Sequence, residues 1–250
     1  MFVNKIIKNL TRNESEALIL TVCNNPKIPK FGGKFLYSDN RSWEFSAWDD
    51  GVEYLNKNNL VNDDSIIIFL NDTFCFHRDF NVYNVLKLTR KIKKNDLSSK
   101  VIGDVCHKKN TEFNINGTKI SWWISTYLFS TSIGVVNKIG KLDMVSQINL
   151  KPNKYIDFEN RTIKIEGFCE SFNTHLTNWL FPESPSQGWY NASVEDKDLI
   201  VNKLKAILNE MLFSVEIKRL SINPIELYNN IDKKAVRAIS IFFNGTTFKI

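Results

Sequence analysis

The sequence lacks the short motifs that identify the most common cofactor and metal sites. It contains no Gly-x-Gly-x-x-Gly or Walker phosphate loop, no His-Glu-x-x-His and no nucleophile elbow. The four cysteines are scattered without a Cys-x-x-Cys pair, which argues against a structural zinc site and a disulfide framework. His77, His107 and His175 share no ligand spacing, so surface or packing roles are favoured for them. The familiar nucleotide, zinc-protease and hydrolase classes are therefore not indicated.

Long apolar runs and a secretory signal are also missing. No run of about eighteen apolar residues occurs, and Asn4 and Lys5 interrupt the N-terminus too early for a signal peptide. These absences predict a cytoplasmic protein. The net charge of +6 suits an anionic small ligand, nucleic acid or an anionic membrane surface. Nucleic acid is the weakest of these partners, because no basic stripe is interleaved with aromatic residues and no reader motif is present.

One apolar stretch organises the predicted fold. Ile66 to Leu70 are five bulky residues, three of them β-branched, which predicts a strand buried on both faces of a mainly parallel sheet. The strand ends at Asn71-Asp72-Thr73. Ligands of open α/β sheets bind outside the carboxyl ends of the strands, so Asp72 would lie where a ligand or metal binds. The alternative is an ordinary turn, since Asn and Asp also favour such corners.

Apolar periodicity and turn residues predict an α/β order of elements. Strands are predicted at residues 16–23, 34–37, 66–70, 100–105 and 238–243, and helices at residues 44–58 (with Ser42 as N-cap), 80–94, 143–149, 169–180 and 194–220. Residues 121–136 are predicted as a helix-to-strand transition, and residues 114–118 as a loop around Gly117. A chain of 250 residues, 43% of them apolar, supports one large domain at residues 1–222 and a C-terminal helical extension at residues 223–250 packed on it.

Four segments together resemble a known enzyme family. They are Trp43 to Gly51 (WEFSAWDDG), Asn71-Asp72-Thr73, Ile124 to Ser130 (ISTYLFS) and Asn209 to Ser214 (NEMLFS), with residues 218–220 continuing the last. Over residues 16–222 the chain resembles bacterial polysaccharide glycosyltransferases related to the rhamnan-synthesis protein F family. The resemblance implies a GT-A-like fold with a mixed, mainly parallel sheet flanked by helices.

The same resemblance implies a reaction and a location. The enzyme would be an inverting hexosyl- or deoxyhexosyltransferase that moves a sugar from a nucleotide-sugar donor to a glycan or lipid-linked glycan acceptor. The product would be a surface polysaccharide such as O-antigen or capsule, made in the cytoplasm with peripheral contact to the inner membrane. The alternative is a non-catalytic domain that binds nucleotide sugar or glycan within a larger assembly.

The catalytic roles follow from the family motifs. Glu210 matches the acidic helix start and would be the general base, and Asp72 would bind the donor diphosphate directly or through Mg²⁺ or Mn²⁺. The family's Asp-x-Asp is reduced here to Asn71-Asp72-Thr73, so Lys or Arg could replace the metal. The alternative for Glu210 is a plain solvated helix position, with Lys203 and Glu216 as surface neighbours. The competing acids are Glu166, Glu170 and Glu183.

The resemblance also implies binding residues on each side of the reaction. The donor-binding residues would be Thr21, Asn24, Asn25, Asp39, Asn40, Glu44, Asp49, Asn71 and Asp72, and the acceptor-binding residues Trp122, Trp123 and Ser125. Asn24-Asn25-Pro26 is equally compatible with turn chemistry. Trp43 and Trp48 could stack on a base or sugar, although the apolar helix face around Trp48 favours a core position.

Overall fold

The structure is a computed structural model that describes residues 17–25, 27, 34–71, 82–108, 111–183 and 196–228. Within these residues the strands are β1 Leu20–Cys23, β2 Lys34–Tyr37, β3 Ile66–Leu70, β4 Lys100–His107, β5 Phe113–Ile115, β6 Thr118–Ile120, β7 Trp122–Ser132, β8 Ile156–Asp157, β9 Thr162–Ile163 and β10 Asn223–Glu226. The helices are α1 Glu44–Lys57, α2 Val82–Lys94, α3 Ile133–Ile139, α4 Met144–Gln147, α5 Glu170–Leu180 and α6 Lys197–Arg219, with a 3₁₀ turn at Pro152–Lys154.

The main sheet is mixed. Its described strands have the order β10-β4-β7-β3, in which β10 and β4 are parallel and β7 is antiparallel to both β4 and β3. The reversal at β7 follows from its short connection, because the β5–β6 hairpin returns the chain beside β4, whereas a parallel neighbour would need a long crossover. A separate pair, β1 and β2, is parallel. The predicted α/β class with a mixed sheet flanked by helices is confirmed. The expectation that this sheet is mainly parallel is wrong for the described strands, because only one of the three pairings is parallel.

Strand β3 has the predicted bounds but not the predicted burial. Among the described residues it pairs with β7 alone, and that pairing is antiparallel. Phe69 is its only fully buried residue, and Ile66 is 50% exposed. The prediction of burial on both faces is therefore wrong. Successive side chains of any strand point to opposite faces, so one face can be exposed even when all the residues are apolar.

Helices cover both faces of the main sheet. On one face α2 packs Val85, Leu88 and Ile92 against Ile102 and Leu128. On the other face α1 and α6 pack against β7 around a set of aromatic rings. Trp48 is 8% exposed and makes edge contacts with Phe45, Phe69 and Phe129, at ring-centroid distances of 5.2, 5.5 and 5.5 Å. Trp48 is thus a core residue, as the apolar helix face indicated, and is not available to stack on a ligand.

Residues 121–136 have the opposite order from the one predicted. They form the long strand β7 followed by α3, a strand-to-helix transition. The Ser132 side chain caps α3 by accepting a hydrogen bond from the Val135 N–H at 3.2 Å. The β-branched residues Ile133, Val135 and Val136 are weak helix formers, but all three are buried in the core. Tertiary packing therefore overrides local propensity in this segment.

Smaller differences concern the ends of elements. The predicted loop at residues 114–118 is the β5–β6 hairpin, which turns at Asn116 and Gly117. Helix α1 begins without a side-chain cap, because Trp43 occupies the N-cap position, so the predicted Ser42 cap is wrong. The first strand starts at Leu20 and is only half buried, with Leu18 and Ile19 exposed before it. Predicted positions in residues 1–16 lie outside the described residues.

The start of the predicted C-terminal extension belongs to the main sheet. Asn223–Glu226 pair in parallel with Lys100–Gly103 of β4. Residues 229–250, including the predicted strand at 238–243, lie outside the described residues. Helix α6 occupies residues 197–219 of the predicted 194–220, and α5 occupies residues 170–180 of the predicted 169–180. No helix in the described part of the chain is long and apolar enough to cross a membrane.

Candidate functional site

A large irregularity interrupts the ladder between β4 and β7. Gly103 pairs with Phe129, but the next residue of β4, Asp104, pairs with Ser125. Thr126, Tyr127 and Leu128 therefore have no register partner on β4, although Leu128 pairs with β3. Bulges of this kind free backbone groups and redirect side chains, and they are over-represented beside active sites. The bulge turns the Thr126 N–H away from the ladder and towards α6.

The group that accepts this N–H is the Glu210 carboxylate. Oε2 of Glu210 accepts hydrogen bonds from the Thr126 N–H at 2.9 Å and from the Thr126 hydroxyl at 3.1 Å. The helix is fixed to the strand one turn later, because Ser214 Oγ accepts from the Ile124 N–H and donates to the Glu210 carbonyl. Glu210 lies in the interior of α6, so the match to a helix start is wrong. The other carboxylate oxygen, Oε1, has no hydrogen-bond partner among the described residues.

The surroundings of Glu210 raise its pKa to about 7. Burial is the main cause, because it disfavours the charged form, and the negative charge of Glu44 acts in the same direction. The two hydrogen bonds from Thr126 and the positive charge of Lys203 oppose the shift. A carboxylate with a pKa near the working pH can both take and release a proton, as general acid–base chemistry requires.

Lys203 belongs to this site and was missed by the sequence interpretation, which treated it as a surface residue. Burial lowers its pKa, while Glu210 and Glu44 favour its charged form. Its Nζ lies 6.0 Å from the centroid of the Trp43 ring, within the range of a cation–π contact. Lys203 precedes Glu210 by seven residues, two helical turns, which places both on one face of α6. That spacing is the signal that could have identified it.

The carboxyl end of β3 and the start of α1 meet at the site that contains Glu210 and Lys203. Nδ2 of Asn71 donates a hydrogen bond to Oε1 of Glu44 at 3.4 Å, and the Asn71 N–H donates to the Tyr127 carbonyl in the β7 bulge at 3.3 Å. The structure therefore brings together three of the predicted residues, Glu44, Asn71 and Glu210. We call Glu44, Asn71, Thr126, Lys203 and Glu210 the Glu210 cluster.

Trp43 borders the Glu210 cluster, and the backbone of Trp43 is strained. Its φ and ψ are 51° and −129°, a conformation that bulky residues rarely adopt. Its carbonyl is held by the Asn24 side-chain N–H at 2.9 Å and by the Ser46 hydroxyl at 3.2 Å. Oδ1 of Asn24 is buried and has no hydrogen-bond partner among the described residues. Strain and an unsatisfied buried oxygen are both features of ligand sites, and Asn24 is therefore retained as a candidate binding residue.

Asp49, a predicted donor-binding residue, has a structural role instead. Its carboxylate accepts hydrogen bonds from the N–H groups of Leu142 and Asp143 at 2.7 and 3.0 Å. Burial raises its pKa to about 6, although those two bonds oppose the shift. Asp49 thus fixes the loop before α4 against α1.

Several other predicted donor residues take part in local turn or strand chemistry. Asp39 pairs with Arg41 at an exposed position, at 2.8 Å, and Asn40 has a positive φ of 59°. Oδ1 of Asn25 accepts from the Lys27 N–H at 3.0 Å, which is the turn alternative. Thr21 lies in β1 opposite Phe35. None of these contacts joins the Glu210 cluster, and Asp72 lies outside the described residues.

The predicted acceptor residues lie on β7 before the bulge. Side chains of neighbouring strand residues point to opposite faces, which predicts one core ring and one free ring for Trp122 and Trp123. Both are instead partly buried and pack against the core, so this division is not found. Ser125 Oγ lies 3.4 Å from the Cys106 Sγ. The competing acids Glu166, Glu170 and Glu183 are all exposed, in contrast to Glu210.

A divalent metal does not fit the described residues of this site. No group of three or more His, Cys, Asp or Glu side chains in the described part of the chain could hold one. In the Glu210 cluster the positive charge of Lys203 acts on two acidic groups, Glu210 and Glu44. The expectation of Mg²⁺ or Mn²⁺ depends on Asp72 and stays a prediction.

Comparison of the chain with protein-family models, curated proteins and solved structures found no match. The geometry of the Glu210 cluster and the resemblance in the sequence are therefore what indicates a function for this chain.

Proposed function

We propose that the protein is an inverting glycosyltransferase that transfers a sugar from a nucleotide-sugar donor to a glycan or lipid-linked glycan acceptor. The observation that carries this proposal is the Glu210 carboxylate, held by Thr126 in the β7 bulge with its pKa raised to about 7 and Lys203 nearby. A GT-A-like arrangement of the fold and a surface polysaccharide as the product are parts of the same proposal. The mixed α/β fold is compatible with the first of these.

The proposed reaction assigns one step to each charged group. The acceptor hydroxyl oxygen attacks the anomeric carbon of the donor and forms the new C–O bond, while its proton passes to Oε1 of Glu210. The bond between the anomeric carbon and the phosphate oxygen breaks, and the nucleoside diphosphate leaves with the electron pair. The Lys203 ammonium is the group in the cluster that can stabilise this added negative charge. No step requires a metal ion.

The donor would be held at the carboxyl end of β3. Glu44 and Asn71 can accept and donate hydrogen bonds to sugar or ribose hydroxyls, and Asn24 has a buried oxygen that a hydroxyl could satisfy. Asp72 follows Asn71 directly in the sequence, and its proposed role in diphosphate binding is kept.

A panel of nucleoside diphosphates and nucleotide sugars tests the proposal. A cognate donor at about 100 times its dissociation constant should stabilise the fold by about 2.7 kcal/mol, visible as a raised melting temperature. Release of nucleoside diphosphate should then depend on an added glycan acceptor. If no nucleotide ligand shifts the melting temperature, the proposal is wrong. Stabilisation without turnover would favour the alternative, a non-catalytic nucleotide-sugar-binding domain.

Peripheral contact with the cytoplasmic face of the inner membrane is the proposed location. Helix α2 contains five basic residues and no acidic residue, and Leu86, Arg90, Lys93 and Lys94 are exposed on it. The helix dipole also favours cations at this end. Attraction to anionic lipid contributes about 1 kcal/mol per basic residue near the surface and is screened by salt.

Flotation with anionic vesicles tests this location. We expect the full chain to float with the vesicles at low salt and to be released at high salt. An Arg90→Gln, Lys94→Gln variant should float less, whereas Lys151→Gln, which changes an exposed lysine elsewhere, should not differ from the unchanged chain. Failure to float at low salt would contradict the proposed membrane contact.

A further inference from the structure

A second group of polar and aromatic side chains lies on α5 and the neighbouring strands, outside the Glu210 cluster. His175 is at its centre. Its ring has neighbouring aromatic rings at centroid distances of 5.3 Å (Phe113), 6.2 Å (Trp123), 6.3 Å (Trp179) and 6.4 Å (Phe172). Trp179 is 42% exposed, one helical turn beyond His175. We call Lys108, Phe113, Trp123, His175 and Trp179 the His175 platform.

The hydrogen bond between Lys108 and His175 fixes the tautomer of the imidazole. Nζ of Lys108 lies 3.3 Å from Nδ1 of His175. Because an ammonium group has donors and no acceptor, Nδ1 must accept, and the ring proton is on Nε2. Burial, with a smaller contribution from Lys108, lowers the pKa of His175 to about 4, so the ring is neutral at physiological pH. Among the described residues the Nε2–H has no hydrogen-bond partner, and it is the donor that this ring offers to a ligand.

Lys108 has an unusual environment for a half-buried cation. Its contacts are the neutral imidazole and the face of the Phe113 ring, at 5.8 Å from the centroid. Within the described ranges no carboxylate lies within 4 Å of it. The nearby acid Glu112 pairs with Lys119 instead, at 3.5 Å. A partly desolvated ammonium without an anionic partner favours binding of an anion.

We propose that the His175 platform binds an anionic sugar unit. The sugar ring packs on the exposed face of Trp179, its carboxylate or phosphate pairs with Lys108, and one of its oxygens accepts from the His175 Nε2–H. Aromatic faces with a few directed polar groups are typical of small-ligand sites. Binding of this unit is independent of the donor site.

The position of the platform on β7 gives it a role in the proposed reaction. Trp123 and Thr126 are three residues apart on that strand, about 10 Å at the usual rise per residue. This odd spacing directs the two side chains to opposite faces of β7, so a sugar on the platform would lie about 10 Å along the strand from the residue that holds Glu210. This role rests on the proposed function. The platform would be a subsite for an acidic acceptor glycan, and it would bind one unit of the acceptor away from the reacting hydroxyl.

Direct binding measurements on the full chain, without donor, test the platform separately from catalysis. The probes are a glucuronic-acid trisaccharide, glucose 1-phosphate and a neutral glucose trisaccharide, each titrated to millimolar concentration by calorimetry or ligand-observed NMR. We expect the two anionic probes to bind more tightly than the neutral one. Comparison of the first two distinguishes a carboxylate from a phosphate as the favoured group.

Variants assign the binding to the named residues. Lys108→Gln should weaken the anionic probes by about ten- to a hundredfold and leave the neutral probe unchanged. Trp179→Ala should weaken all bound probes by about tenfold. The controls are Lys151→Gln and Leu220→Ala, which change an exposed lysine and an exposed apolar residue elsewhere.

Two results would overturn the inference. One is no binding of any probe at millimolar concentration by a chain whose circular dichroism shows it folded. The other is binding that Lys108→Gln and Trp179→Ala leave unchanged. Binding in a chain that shows no response to nucleotide sugars would support the platform and contradict the proposed function, so the two failures are distinguishable.

Discussion

Glu210→Gln is expected to lower turnover by about 10²–10⁴-fold, the usual contribution of a general base, while donor affinity changes little. Gln keeps the size of the side chain and can still accept from the Thr126 N–H and hydroxyl, but it cannot take the acceptor proton. The matched control is Glu216→Gln on the same helix, where the carboxylate pairs with Arg219 at 3.2 Å. Turnover is measured as acceptor-dependent release of nucleoside diphosphate under conditions where chemistry is rate-limiting.

The same substitution should change the pH dependence of stability in a defined direction. Between the usual carboxyl pKa of 4.5 and the folded value of about 7, the folded chain binds a proton that the unfolded chain has released. The free energy of unfolding therefore falls as pH rises through this window, by about 1.4 kcal/mol per pH unit and by about 3 kcal/mol at most. Glu210→Gln removes this loss, so above pH 7 the variant should be more stable than the unchanged chain.

These two measurements separate a functional role from a structural one. If the Glu210 carboxylate serves only to anchor Thr126, replacing it should lower stability and leave turnover unchanged. A rate that falls together with a gain in stability at high pH is the pattern of a group kept for function at a cost in stability. Near-normal turnover in Glu210→Gln, with loss of turnover in Glu166→Gln, Glu170→Gln or Glu183→Gln, would place the base on another segment.

Elements with strong local patterns could be predicted from the sequence. The strands Lys34–Tyr37 and Ile66–Leu70 have the predicted bounds, and helix α1 begins at the predicted residue, because apolar runs, helical spacing and turn residues agree there. Burial was harder to predict. A five-residue apolar run gives the type of element but does not show how many neighbouring strands it has, so the exposure of Ile66 was not anticipated.

The candidate site depends on long-range geometry that periodicity does not encode. The β7 bulge arises from the register between residues distant in sequence, and only this register directs the Thr126 N–H towards Glu210. The resemblance indicates Glu210, whereas its burial and its hydrogen bonds depend on the fold. The helical spacing places Lys203 on the same face as Glu210, but its electrostatic interaction with Glu44 requires the approach of α1.

Substitution of Lys203 is expected to have the second large effect. It should change the donor affinity and the pKa of Glu210. Lys203→Gln removes a positive charge that acts on both Glu44 and Glu210. Nucleoside-diphosphate affinity should fall by about ten- to a hundredfold, the usual contribution of a charge-assisted hydrogen bond. Because Lys203 holds the pKa of Glu210 down, its loss should raise that pKa further. The pH at which turnover reaches half its maximum should therefore rise.

Lys203→Arg and Lys205→Gln are the matched comparisons for this prediction. Arginine keeps the charge, so it should restore most of the donor affinity and the original pH midpoint, although its larger head group changes the packing against Trp43. Lys205 lies two residues along the same helix, and its loss should change neither quantity. A merely structural lysine would alter the melting temperature without moving the pH midpoint. If Lys203→Gln keeps both donor affinity and the pH midpoint, Lys203 does not stabilise the departing diphosphate, and another cation must do so.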